Sequence, residues 1–259
     1  MLPRALVSIA CLSTGLVSAQ PHAPQRHAGG HEKMVYLVHD RPDPGGEREG
    51  VDPDLRPALI VLPGGDGSRE FERWVGTIAS RTPEGWLTVQ LVAPRWRDDA
   101  NRIVWPTEGL PDDRAEFTTD AFIDAVAREI QADDRVDPER TYVLGWSSGG
   151  PPAYAAVMTP DIPVSGAIVL MSVFKPDLLP DPAGSAGRHV CILHARDDFI
   201  PMRFADLAND TLAPHAAGVR LDRYAGGHGW TADLLDRTAA AFDWIDADHA
   251  TEPPDTPPP

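Results

Sequence analysis

Cysteine is almost missing from this chain: Cys11 and Cys191 are the only two in 259 residues. If the first 19 residues are removed on export, one cysteine is left and no internal disulfide can form. Positive charge is also scarce. Lys and Arg number 23 against 39 Asp and Glu, for a formal charge of −16 and a pI near 4.8. That balance argues against nucleic acid or an anionic membrane surface as a partner. Beyond the first residues no segment is long and apolar enough to cross a bilayer, so stable membrane insertion is not expected. No internal repeat is visible. What is present is globular in composition: 42% hydrophobic and 24% charged, enough for one large α/β domain with appended ends.

Both ends have their own character. Arg4, the apolar stretch from Ala5 to Val17, and the small residues Val17-Ser18-Ala19 fit a secretory signal peptide over residues 1–19, which implies a secreted or periplasmic protein. Ser8-Ile9-Ala10 is a poor lipobox before Cys11, so an anchor there is the minor alternative. Residues 20–32 are polar and carry His22, His27 and His31. Their irregular spacing, with no cysteine nearby, reads as a flexible linker and not as a metal site. Residues 247–259 form a proline-rich acidic tail that has too little apolar surface for a core. Cys191 lies in an apolar run and should be buried and inert.

Between the ends, residues 33–246 alternate apolar runs with helical periodicity. Strands are expected at Met34–Val38, Ala58–Leu62, Leu87–Ala93, Thr141–Leu144, Ala167–Ser172, Val190–His194 and Val219–Tyr224. Several are apolar almost throughout, as strands covered on both faces should be. Phe71, Trp74, Val75, Ile78 and Ala79 follow a helical stripe, with Ser68 as the expected N-cap. Phe122, Val126 and Ile130 mark a second helix after Thr118-Thr119, Pro151–Met158 a third, and Leu234 to Ile245 the last. Alternating strand and helix implies a mostly parallel sheet with helices on both faces and ligands beyond the C-terminal strand ends.

Three features fall just past such ends. Gly145-Trp146-Ser147-Ser148-Gly149 reads as a nucleophile elbow, a sharp turn that exposes the Ser147 hydroxyl and needs small residues two before and two after it. His228, flanked by Gly226-Gly227 and Gly229, is the candidate base. The acid should come from His194-Ala195-Arg196-Asp197-Asp198-Phe199-Ile200-Pro201. The His-x-x-x-Asp spacing favours Asp198, with Asp197 as the alternative. Oxyanion donors are expected from the N–H groups of Ser148 and of Gly65 in Leu62-Pro63-Gly64-Gly65-Asp66-Gly67. Trp96, Trp105 and Phe117, with Trp146 of the elbow, are candidates for a substrate pocket, or else simply cover the core.

On these motifs, from about Ala58 to Ile245, the chain resembles the α/β-hydrolase superfamily, and within it the phospholipase/carboxylesterase (dienelactone-hydrolase-like) serine esterases. The order Ser, Asp, His is the one expected of that fold. The resemblance implies Ser147, Asp198 and His228 as a triad, hydrolysis of small-molecule esters through an acyl-enzyme, and no metal or cofactor. Pro63 stands where histidine is common in these proteins, and Ser148 where Gln or Met is common; neither change removes a backbone donor. The short stretch between Val173 and His189 implies little or no lid. The same triad would serve a peptidase or a cutinase-like polyester hydrolase. A binding protein on a hydrolase scaffold that no longer turns over is the alternative of another class, and its mark would be a broken triad.

Overall fold

The computed structural model describes residues 22–40, 55–96 and 103–247. The expected signal peptide, Cys11, and the tail from residue 248 onward lie outside the described residues.

Eight strands form one sheet: β1 (Gln25–His27), β2 (Val35–Asp40), β3 (Arg56–Leu62), β4 (Leu87–Leu91), β5 (Val136–Trp146), β6 (Gly166–Leu170), β7 (His189–Ala195) and β8 (Gly218–Tyr224), in the order β1-β2-β4-β3-β5-β6-β7-β8. From β4 to β8 every pairing is parallel, while β2 runs antiparallel to β4 and to β1. The apolar runs become strands because helices cover both faces of the sheet. Side chains alternate between the faces. Ile60, Leu62, Val143, Val169 and Ile192 pack with α2 (Thr119–Asp133), α3 (Gly150–Met158) and α4 (Arg203–Leu212). Leu59, Val61, Tyr142, Leu144, Ile168 and Leu193 pack with α1 (Glu72–Ala79) and α5 (Ala232–Ala247). Cys191 belongs to this second layer, where burial pushes its thiol up to about 12, so it stays protonated and inert.

The parallel register aligns the C-terminal strand ends. Leu62 pairs with Gly145, Trp146 with Leu170, and Ala195 with Tyr224. Every turn that leaves these ends emerges on one edge of the sheet. Between β6 and β7 there are only two short 3-10 turns, Pro176–Leu178 and Pro182–Ser185.

Two local expectations are corrected. The stretch read as a flexible linker is structured from residue 22. Gln25–His27 adds the outermost strand, and Ala28 is fully buried. Arg26 makes a two-pronged ion pair with Asp134, and the Gly29 N–H donates to Glu129, both at the far end of α2 or beside it. Side chains distant in sequence thus hold a segment with no apolar pattern of its own. Ser68 does not cap α1. It precedes a 3-10 turn, Arg69–Phe71, and its side chain makes no capping bond. Thr118 does cap α2, accepting from the Ala121 N–H at 3.2 Å.

The helix that follows the elbow is fixed at its far end by one side chain. The Arg188 guanidinium donates to the carbonyls of Ala156, Val157, Thr159, Pro160 and Ile162, at 2.8 to 3.1 Å. Ala156 and Val157 belong to the last turn of the helix, where carbonyls lack intrahelical partners, and the other three lie just beyond it; a cation there also suits the helix dipole. Arg188→Ala should lower unfolding stability by about 2–4 kcal/mol, since its charged hydrogen bonds to this turn are lost together. Urea denaturation reads this as a shifted midpoint at constant slope, and a change within about 0.5 kcal/mol would contradict it.

Candidate active site

The elbow follows from sterics. At the end of β5 the chain reverses into α3, and Ser147 takes a left-handed φ of +53°. The turn is so tight that a Cβ on Gly145 would lie 2.1 Å from the Gly149 carbonyl oxygen, and one on Gly149 would lie 2.2 Å from that of Leu62. Both positions therefore require glycine. The turn is pinned from below by Ser172, a buried residue just past β6, whose hydroxyl donates to the Ser147 carbonyl at 2.7 Å. A side chain on Gly150 would displace that hydroxyl.

Three loops then meet. The Ser147 Oγ lies 3.0 Å from His228 Nε2. His228 Nδ1 lies 3.0 and 2.9 Å from the two carboxylate oxygens of Asp198. A carboxylate only accepts, so Nδ1 carries the proton, and Nε2 is left to accept from the serine hydroxyl. The Asp198 side chain is fully buried and the imidazole is 21% exposed, so the histidine is the open end of the chain of bonds.

The acid loop is itself anchored. Asp198 Oδ1 accepts from the Ile200 N–H at 2.7 Å, and buried His194 donates through Nε2 to the Ile200 carbonyl at 2.8 Å. The Asp197 N–H donates to the Gly226 carbonyl at 3.0 Å, which ties the acid loop to the histidine loop. Asp197 itself is exposed. Of the two competing aspartates, Asp198 is the one brought to the imidazole.

The glycine loop after β3 is held by its carbonyls. Pro63 accepts from the Trp105 indole at 3.0 Å, Gly64 from the Gly67 N–H at 3.0 Å, Gly65 from the Ser148 hydroxyl at 2.9 Å, and Gly67 from the Ala93 N–H at 2.9 Å. Gly65, at φ +61°, is the turn position that requires glycine. The Gly64 carbonyl points into the turn, so the N–H of Gly65, across a trans peptide, points out of it. A Cβ on Gly64 would lie 3.0 Å from that of Ser147, so this loop passes directly beside the hydroxyl-bearing residue. The N–H of Ser148 sits in the first turn of a helical segment and has no intrahelical acceptor by position.

The four aromatic pocket candidates follow the second of the two readings and pack against the body of the protein. Trp105 is 3% and Trp146 5% exposed, so neither offers a face to a substrate. Trp105 supports the glycine loop. Trp146 wedges between Gly64 and the rings of Phe71 and Trp230, edge to face at 5.8 and 5.3 Å. Trp96 and Phe117 pack on each other, with Lys33 over Trp96, and with His31 and Phe122 against Phe117. They close the seam between the N-terminal hairpin and α2. Composition shows that an aromatic is present but not which way it faces.

Ser172 and Phe199 were not singled out by sequence. Ser172 was legible only as the end of an apolar run. Phe199, beside the acid, is 75% exposed, with its ring 4.3 Å from that of His228.

Strand order, elbow and loop placement together decide the architecture. The chain has the α/β-hydrolase fold. It superposes on the carboxylesterase of Bacillus cereus with a TM-score of 0.62 and 15% identity, covering 81% of this chain and 93% of that one. The butyrate-bound esterase Est2 of Thermogutta terrifontis matches with a TM-score of 0.62 and 17% identity, over 91% of this chain and 97% of that one. A puromycin hydrolase matches with a TM-score of 0.68 and 16% identity, over 92% of this chain but 40% of that one. By sequence, a protein named "Putative esterase NocK" from Nocardia uniformis subsp. tsuyamanensis is 36% identical over 101 residues, 38% of this chain. The match spans 27% of that relative's length. No family model matches the chain.

If Asp198 orients the imidazole, Asp198→Asn should lower kcat by roughly 10⁴, because the amide favours the wrong tautomer. Asp197→Asn should stay within about threefold, as surface substitutions do. Steady-state kinetics on a short ester reads both, and the reverse ranking would reassign the acid.

Proposed function

We propose that this α/β hydrolase is a serine esterase that cleaves carboxylic esters through an acyl-enzyme on Ser147. The observation that carries this reading is the continuous chain of hydrogen bonds from the Ser147 hydroxyl through His228 to the buried Asp198 carboxylate. Such a chain lets a neutral serine attack at neutral pH. His228 takes the hydroxyl proton as Oγ bonds to the ester carbonyl carbon. The N–H groups of Gly65 and Ser148 receive the developing oxyanion. His228 returns the proton to the alcohol oxygen as the C–O bond breaks. Water then repeats the sequence and releases the acid. Asp198 holds the tautomer and stabilises the imidazolium.

Ester is preferred to peptide as the substrate class because two of the neighbours that match along nearly their whole length are named carboxylesterase and esterase. The match to puromycin hydrolase covers 40% of that chain and carries less weight. The intact triad geometry favours an active hydrolase over a non-catalytic binder. Export is part of the proposal and rests on the signal-like residues 1–19.

A fluorophosphonate probe followed by peptide mapping tests the reading. One adduct on Ser147 is expected, absent in Ser147→Ala and strongly slowed in His228→Ala. Turnover of short esters should fall by about 10⁶ in Ser147→Ala. On protein isolated from its host, the same map should begin just after residue 19. A folded wild type that takes no probe and splits no ester would overturn the proposal. Peptides and polyester films, run beside the esters, decide whether the ester bond of a small molecule is the preferred target.

A further inference from the structure

Phe199 has a cost that the fold does not explain. Among the large hydrophobic residues exposed in the described parts of the chain, it is the most exposed, at 75%. Its ring meets the His228 imidazole, 4.3 Å away and tilted by 46°. The loop fixes where its backbone stands. Its neighbours on both sides are fixed, Asp198 by His228 and Ile200 by bonds to Asp198 and His194. The ring thus stands open to solvent against one member of the triad.

The position of that member defines what the ring faces. In ester cleavage Nε2 of His228 carries the serine proton to the alcohol oxygen, so the alcohol must leave past the imidazole. The N–H groups of Gly65 and Ser148 fix the carbonyl oxygen at the other end of the site, and the acyl chain is the remaining substituent of the carbonyl carbon, directed to neither. A ring packed on the imidazole flanks the alcohol, not the acyl group. We infer that Phe199 is a specificity-determining residue whose ring receives an apolar, preferably aromatic, alcohol moiety of the ester. This rests on the esterase reading above. In the step concerned, Ser147 Oγ bonds to the acyl carbon, the bond from that carbon to the alcohol oxygen breaks, and the proton from Ser147 leaves with the alcohol. Phe199 stays in van der Waals contact throughout and exchanges no proton.

An aromatic pair of this kind favours the matching substrate by roughly three- to tenfold over one without a ring. The test uses benzyl acetate, ethyl acetate and ethyl butyrate with wild type, Phe199→Ala and Phe199→Leu. The benzyl-to-ethyl ratio of kcat/KM should fall about three- to tenfold in Phe199→Ala and by less in Phe199→Leu. The butyrate-to-acetate ratio should hold, because the acyl group does not meet the ring. Both acetates give the same acetyl-enzyme, so the change must lie in acylation. An equal loss on all three esters would mean that Phe199 only steadies His228, and would overturn the inference. So would an unchanged benzyl-to-ethyl ratio, or a change that follows the acyl group. A wild type inert on all three esters would remove the esterase reading and this inference together; an active wild type with unaltered ratios in the variants would remove this inference alone.

Discussion

Ser147 is held at φ +53°, where a residue with a side chain is strained by about 1–3 kcal/mol. Nearly everything around it serves to impose that conformation. Gly145 and Gly149 vacate the space the turn needs. The Ser172 hydroxyl pins the Ser147 carbonyl, and Gly150 makes room for Ser172. Arg188 secures the far end of the helix that the turn begins. The strained backbone lifts the hydroxyl off the sheet edge to where His228 can reach it. A relaxed serine in an ordinary turn would have no reason to meet a histidine 81 residues further along the chain.

The other loops obey a second requirement, rigidity. The glycine loop is stitched by its carbonyls, one of them to the elbow's own Ser148. The acid loop is stitched by Asp198, Ile200 and buried His194. The link between β6 and β7 contributes only 3-10 turns. Positioning thus comes from hydrogen bonds of side chains and backbone to the loops at the strand ends. That arrangement suits preorganised donors, which act without reorganising during the reaction.

Much of the architecture was legible because burial writes a simple pattern. Central strands covered on both faces, such as residues 58–62 and 190–193, are apolar throughout. The elbow was legible because its crowding restricts residue types at fixed offsets. Other features left weaker marks. Gln25–His27 is polar, and its place at the sheet edge depends on Asp134 and Glu129, about a hundred residues away. Trp105 and Trp146 could be read as pocket walls or as core, because size and apolarity do not encode direction. They are buried braces, while Phe199, which does face outward, had no pattern to mark it. Choosing between Asp197 and Asp198 needed the path of the loop, since adjacent residues point to opposite sides.

The central claim is that an acyl group passes covalently through Ser147. Esters with one acyl group and different alcohols, hydrolysed in the presence of methanol, test it most directly. A common acyl-enzyme forgets its leaving group before water or methanol attacks. The account predicts one ratio of methyl ester to free acid, the same for every starting ester. A ratio that changes with the leaving alcohol would show that water attacks the substrate itself, and would contradict the account.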